Sequence, residues 1–260
     1  MNTNTGRKLK KLLDSQPAGT VLLSSWLTRQ GYSLDLQKVY KKNGWFESIG
    51  HGALIRAGNQ VGFEGGIYAL QKQIGSRIHP GGRTALAIHG KGQYLELDQK
   101  NIVLFGKNGE KLPQWFKNHN WGVNLSYHRS DFLPPEIGLV DLNFNNFQIK
   151  ISNPIRALLE CLHLAPKKQE LTECYEIMES LNNLRPDQVQ ALLETCKSIK
   201  VKRLFMFMAE KSGHAWFSRL DAEKIDMGVG VRSIVENGVY EPKYKITLPP
   251  EMIRNDEATL

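Results

Sequence analysis

Cysteine is scarce in this chain. Cys161, Cys174 and Cys196 lie far apart and form neither a Cys-x-x-Cys pair nor an even set. That excludes a zinc ribbon and a disulfide-stapled scaffold. Each falls on an apolar helical stripe, so buried free thiols are expected. The seven histidines show no HxxxH or HExxH spacing, so no metal site and no cofactor are expected. There is no Gly-x4-Gly-Lys-Ser/Thr phosphate loop and no Gly-x-Ser-x-Gly elbow. No Asp-x-Asp pair occurs, which argues against a nucleotidyltransferase. Gly228-Val229-Gly230-Val231-Arg232-Ser233 resembles a dinucleotide fingerprint but lacks its third glycine and a following ribose-binding acid. No apolar run nears the roughly 18 residues that span a bilayer. No basic segment leads into an N-terminal apolar stretch. A cytoplasmic, non-enzymatic protein is expected.

What the chain does have is positive charge, unevenly spread. Its net charge is +8 and its pI is about 9.3, which points to an acidic partner. Residues 1–58 hold nine basic residues: Arg7, Lys8, Lys10, Lys11, Arg29, Lys38, Lys41, Lys42 and Arg56. Against them stand three acids, Asp14, Asp35 and Glu47, leaving this segment +6 of the total. The other 202 residues carry only +2. A fold needs no such asymmetry, whereas a phosphate-binding face does.

The basic segment contains an ordered set of local signals. Ser24 or Ser25 is placed to cap a short helix that ends at Gly31, a residue free to take positive φ. Ser33 then caps a second helix, with Asp35 in its first turn and Lys41 and Lys42 in its last. Leu36, Val39 and Tyr40 share its expected buried face, leaving Gln37, Lys38, Lys41 and Lys42 outside. Asn43-Gly44 stops the helix. Trp45 to Ile49, Gly50-His51-Gly52 and Ala53–Arg56 read as a hairpin. Two helices joined by a Gly-containing turn, followed by a hairpin, are the parts of a winged helix-turn-helix.

Around this unit the pattern is coarser. Residues 1–5 are expected to fray, and Leu9, Leu12 and Leu13 define a first helix. Thr20–Leu23 reads as a brief strand. Phe63–Ile74 reads as a helix with Ile67, Leu70 and Ile74 in register and Gly75 as its stop. A shorter helix spans Arg83–His89. Strands are expected at Tyr94–Leu97, Asn101–Phe105 and Trp121–Arg129, with a helix at Leu112–Asn118 between. Ile137–Asn143 and Phe147–Ser152 read as a hairpin around Asn145-Asn146. From Asn153-Pro154, a cap followed by Pro at the first helical position, the chain turns helical. Stripes led by Ile155, Leu171, Val189 and Val201 give four helices. A last strand covers Tyr244–Leu248, and a loose tail follows Pro249-Pro250.

One constellation carries chemistry. Asp141 on one strand and Gln148-Ile149-Lys150 on the next outline a restriction-type nuclease site, in which carboxylates hold Mg²⁺ and Lys stabilises developing charge. Gln148 is a poorer ligand than a carboxylate, and an ordinary hairpin with outward polar residues is the favoured reading.

Several segments, in order, resemble the AbiEi antitoxins, the transcriptional-regulator half of type IV (abortive-infection) toxin–antitoxin pairs. They are Pro17-Ala18-Gly19-Thr20-Val21, Ser24-Ser25-Trp26-Leu27, Tyr40-Lys41-Lys42-Asn43-Gly44-Trp45 and Ile49-Gly50-His51-Gly52-Ala53. Gly81-Gly82-Arg83-Thr84-Ala85-Leu86 and Leu112-Pro113-Gln114-Trp115-Phe116 follow, then Ser152-Asn153-Pro154-Ile155-Arg156-Ala157-Leu158-Leu159-Glu160. Trp216-Phe217 and Gly228-Val229-Gly230-Val231-Arg232 complete the set. The chain departs from the family's form at Ile155, where Glu is expected.

The resemblance implies an N-terminal winged helix that represses its own operon. It also implies a C-terminal domain needed to counteract a nucleotidyltransferase toxin, without a stable toxin complex. The resulting expectation is an α+β chain. A winged helix-turn-helix with bridging helices occupies residues 1–92, with the boundary near 58 or 92. A mixed domain with a helical C-terminal part occupies residues 93–260. Double-stranded DNA of its own promoter is the expected partner. Arg7, Lys8, Lys10, Lys11, Lys38, Lys41, Lys42 and Arg56 are expected on phosphates, and Ser33, Asp35, Gln37 and Lys38 on base edges, with His51 at the hairpin tip. The alternatives are a nuclease using Asp141 and Lys150, and a ligand-sensing regulator without a toxin.

Overall fold

The computed structural model describes residues 3–90, 101–144 and 146–253. It is a mixed α+β chain of helices and small sheets that divides into two compact units. The expected strand at 94–97 and the last seven residues of the expected tail lie outside the described residues.

The first unit comprises residues 1–80, 100–129 and 140–151. Helix α1 (Thr3–Ser15) begins inside the segment expected to fray. Strand β1 (Leu22–Leu23) leads into helix α2 (Ser24–Arg29), and helix α3 (Leu34–Lys42) follows across a turn with Gly31 at φ 85°. Strands β2 (Phe46–Gly50) and β3 (Ala53–Arg56) form the hairpin. β1 adds to it antiparallel, Leu22 opposite Leu54, so the sheet order is β1-β3-β2. Leu9 and Leu12 of α1, Leu22, Leu27, Tyr32, Tyr40, Phe46 and Leu54 make one buried cluster. The Tyr40 and Phe46 rings meet edge to face, with centroids 5.8 Å apart.

The caps fall as expected in α3 and differ in α2. The Ser33 hydroxyl accepts from the Leu36 amide at 3.3 Å. Neither Ser24 nor Ser25 caps α2, whose cap residue is Leu23; the Ser24 hydroxyl instead donates to the Gln37 side-chain oxygen.

Helix α4 (Phe63–Tyr68) continues as a π-helical turn over Ala69–Gln73. The wider turn shifts the register. Ile74, expected in the core, is exposed, and Gln73 is buried in its place. Its amide donates to the Val21 carbonyl at 2.7 Å and its oxygen accepts from the Leu23 amide at 2.8 Å.

Strands β4 (His79–Pro80), β5 (Asn101–Gly106) and β6 (Asn124–Arg129) form a second sheet, in which β5 and β6 run parallel. Helix α6 (Gln114–Asn118) packs on β2 so closely that a Cβ at Gly50 would lie 2.8 Å from that of Trp115. Strands β7 (Leu139–Phe144) and β8 (Phe147–Ser152) pair as expected.

The second unit comprises residues 81–99, 130–139 and 152–260. Helix α5 (Gly82–Ile88) packs on α7 (Pro154–Leu164), and α8 (Leu171–Ser180), α9 (Pro186–Thr195) and α10 (Ile199–Lys211) complete the helical core. Asn153 caps α7, accepting from the Arg156 amide at 2.8 Å, with Pro154 at the first position. All three thiols are free and buried, as expected. Burial pushes the Cys161 thiol well above its usual range. Strand β11 (Ile246–Leu248) lies between β9 (Arg232–Ser233) and β10 (Val239–Glu241). A short helix α11 (Pro250–Ile253) occupies the start of the segment expected to be a loose tail.

Three buried charged residues knit this unit. Glu160, fully buried, accepts from the Gly82 amide at 2.9 Å, the Ser152 hydroxyl at 2.8 Å and Arg156 Nε at 2.9 Å. Arg156 in turn donates to the Pro134 and Ile137 carbonyls at 2.7 and 2.6 Å. Arg203 of α10 is also buried. It donates to the carbonyls of Met227, Gly230, Lys245 and Gly228 at 2.7, 2.6, 3.0 and 3.1 Å. The Gly228-Val229-Gly230 segment therefore aims carbonyl oxygens inward at a cation. A phosphate cradle needs the opposite polarity, with amides facing the ligand.

Candidate nucleic-acid interface

Helix α3 presents two faces set by its neighbours. Tyr40 and Gln37 are buried and Leu36 is half-buried against the α1–α2 cluster. Leu34, Asp35, Lys38, Val39, Lys41 and Lys42 face solvent. Three lysines thus stand on the free surface of one nine-residue helix. The acid among them, Asp35, pairs with Lys38 at 3.1 Å, and both side chains are largely exposed. Such a pair is weak, and an anion of higher charge density displaces it.

At two positions the structure differs from the pattern. The sequence puts Gln37 on the outer face, toward base edges. It is buried because the α2–α3 turn needs its polar groups. Its amide donates to the carbonyls of Ser24 and Tyr32 at 3.2 and 2.8 Å and to the Thr28 hydroxyl at 3.2 Å, while its oxygen accepts from the Ser24 hydroxyl. Val39, expected inside, is exposed instead. The side of α3 that faces the turn is thus the one carrying Gln37, whose buried polar groups are satisfied there. Replacing Gln37 with Ala strands several of those partners. We expect a loss of about 2–4 kcal/mol in urea unfolding of the full chain. A change below about 0.5 kcal/mol would show that the turn holds without it.

Arg56, expected on phosphate, is half-buried and engaged within the fold. Its guanidinium donates to the Leu13 carbonyl at 2.6 Å and to that of Gln16, closing the C-terminal end of α1. Burial lowers its pKa, partly offset by Asp14 nearby.

The other expected phosphate contacts outside α3 lie on α1. Arg7, Lys8, Lys10 and Lys11 are exposed along α1 and line a shallow depression with Asp14 and Ser15. The Tyr32 hydroxyl donates to the Lys8 carbonyl at 3.3 Å, and Lys8 Nζ lies 3.4 Å from the Gly31 carbonyl. Both contacts hold this part of α1 against the turn that precedes α3. Ser33 is exposed, though its hydroxyl oxygen is engaged as the cap. His51 is exposed at the tip of the β2–β3 hairpin.

Asp141 and Lys150 do come together on the β7–β8 hairpin, as a half-exposed ion pair at 3.4 Å. Gln148 donates to the Asn143 side chain at 2.7 Å. Among the described residues, no group of three or more His, Cys, Asp or Glu is placed to hold a metal ion.

Family models decide what kind of chain this is. Residues 5–97 match the N-terminal domain of the AbiEi antitoxin, a transcriptional regulator, and residues 99–249 match the AbiEi antitoxin transcriptional regulator of type IV toxin–antitoxin systems. The chain belongs to the AbiEi family. A comparison with curated proteins finds no match. Among solved structures, the RV2827C protein from Mycobacterium tuberculosis is similar in fold. The TM-score is 0.58 at 14% identity, over 95% of this chain and 91% of that one. Ile155, where the resemblance led us to expect Glu in this AbiEi chain, is buried in α7. Among the described residues, no helix is long and apolar enough to cross a membrane.

Proposed function

We propose that α2, α3 and the β2–β3 hairpin act as a winged helix-turn-helix through which the protein represses its own operon. In this reading α3 enters the major groove of operator DNA. Lys41, Lys42 and the Arg7–Lys11 group neutralise phosphates. Lys38, which also meets the adjoining phosphate, lies with Asp35 and the cap residue Ser33 toward base edges, and His51 at the hairpin tip reaches the flanking backbone. The second unit, in which acids slightly outnumber basic residues, serves to counteract a nucleotidyltransferase toxin encoded beside it, without a standing complex. The observation that carries the DNA reading is the free face of α3, where three exposed lysines sit on a helix held rigidly by its buried side.

The test couples two readouts. The full chain is expressed with a reporter fused to its own promoter, and separately with the neighbouring toxin. Reporter repression and restored growth are the expected results. Repression without rescue would favour a ligand-sensing regulator. A cleft of about 460 Å³ in the second unit, lined by Met206, Phe217, Leu220 and Tyr244 beside Lys243, gives that reading a place for a ligand.

A further inference from the structure

The free face of α3 carries something that phosphate neutralisation does not use. Leu34 is its first helical residue, and its side chain is 58% exposed. Residues at i, i+4 and i+7 share a helix face, so Leu34 stands in line with Lys38 and Lys41. Lys42 lies beside that line, and the acid on this face, Asp35, is held by Lys38 at 3.1 Å. An apolar side chain ringed by ammonium groups is a poor seat for another protein's apolar patch, because docking there would strip water from those charges. It matches one surface well. The major groove of DNA sets thymine methyl groups, which are apolar, between two rows of phosphates.

We propose that Leu34 is a specificity-determining residue that packs on a thymine C5-methyl group in the operator. The inference rests on the helix-turn-helix reading above and deepens it. The first turn of a recognition helix is the part that meets base edges, and Leu34 opens that turn. Lys38, one turn on, carries charge toward the adjoining phosphate or base edge. Val39, 42% exposed on the far flank of the same face, lies farther from the first turn and contributes less.

The experiment measures fluorescence anisotropy of the full chain on its own promoter at fixed salt. One duplex carries thymine, and in the other every thymine is replaced by deoxyuridine, which removes only the methyl groups. Wild type is expected to bind the uracil duplex about fourfold more weakly for each methyl that Leu34 covers. Leu34→Ala is exposed and keeps the fold, binds the thymine duplex more weakly by a similar factor, and no longer distinguishes the two. Single-thymine replacements then place the contact. Equal wild-type affinity for both duplexes would overturn the inference. So would a Leu34→Ala protein that still discriminates as wild type does, since the effect would then arise from DNA shape. Failure to prefer the promoter over an unrelated duplex sinks the helix-turn-helix reading itself, an outcome distinct from intact promoter binding that ignores the methyl.

Discussion

Changing Lys38, Lys41 and Lys42 together to Ala is expected to weaken promoter binding about a hundredfold near 0.15 M salt. The figure follows from counterion release. Each phosphate neutralised contributes a slope of about −0.9 in log K against log salt, so three contacts account for about −2.7. The triple variant should therefore lose affinity and also show a shallower salt dependence. All three side chains are exposed and the buried side of α3 is untouched, so unfolding should shift by no more than about 0.5 kcal/mol. A salt titration of both proteins, with circular dichroism as the folding control, checks each part. Unchanged affinity and slope would move the DNA-binding face away from α3.

The largest effect on stability is expected from Glu160→Ala. Removal of the carboxylate leaves the Arg156 charge buried and the Gly82 amide and Ser152 hydroxyl without their acceptor. Breaking a buried pair in this way costs about 3–5 kcal/mol, a large share of a typical domain's stability. Glu160→Gln tests whether charge or volume matters. It keeps the shape and one acceptor oxygen but sets an amide donor against Arg156 Nε. A loss approaching that of Ala would assign the effect to the charge. Urea unfolding of the full chain reads both. If Gln were neutral and Ala severe, packing rather than the ion pair would hold α5, α7 and the 134–137 segment together.

Signals that act within a few residues were legible in the sequence. Ser33 and Asn153 cap their helices, and Gly31 and Gly44 take the positive φ that ends α2 and α3. The hairpin follows from the two glycines around His51. Long-range pairing was not legible. Gln37 and Val39 exchanged places because a nine-residue helix has too few apolar positions to fix its own rotation; the acceptors waiting in the α2–α3 turn fixed it. Ile74 missed the core because one π turn rotated the end of its helix, and no local residue announced it. Arg56 looked like a free cation because its carbonyl partners, Leu13 and Gln16, lie about forty residues upstream. The role proposed for Leu34 has no local signal, because an exposed leucine has meaning only through its neighbours in space.

Arg203 holds four carbonyl oxygens from the 227–230 segment and Lys245 around one positive centre. Many small folds gather carbonyls in this way around a calcium ion. Here the cation is covalently part of helix α10. It is always charged, needs no loading step and is beyond the reach of any chelator. The central positive charge of the 227–230 loop is thereby supplied by the chain itself.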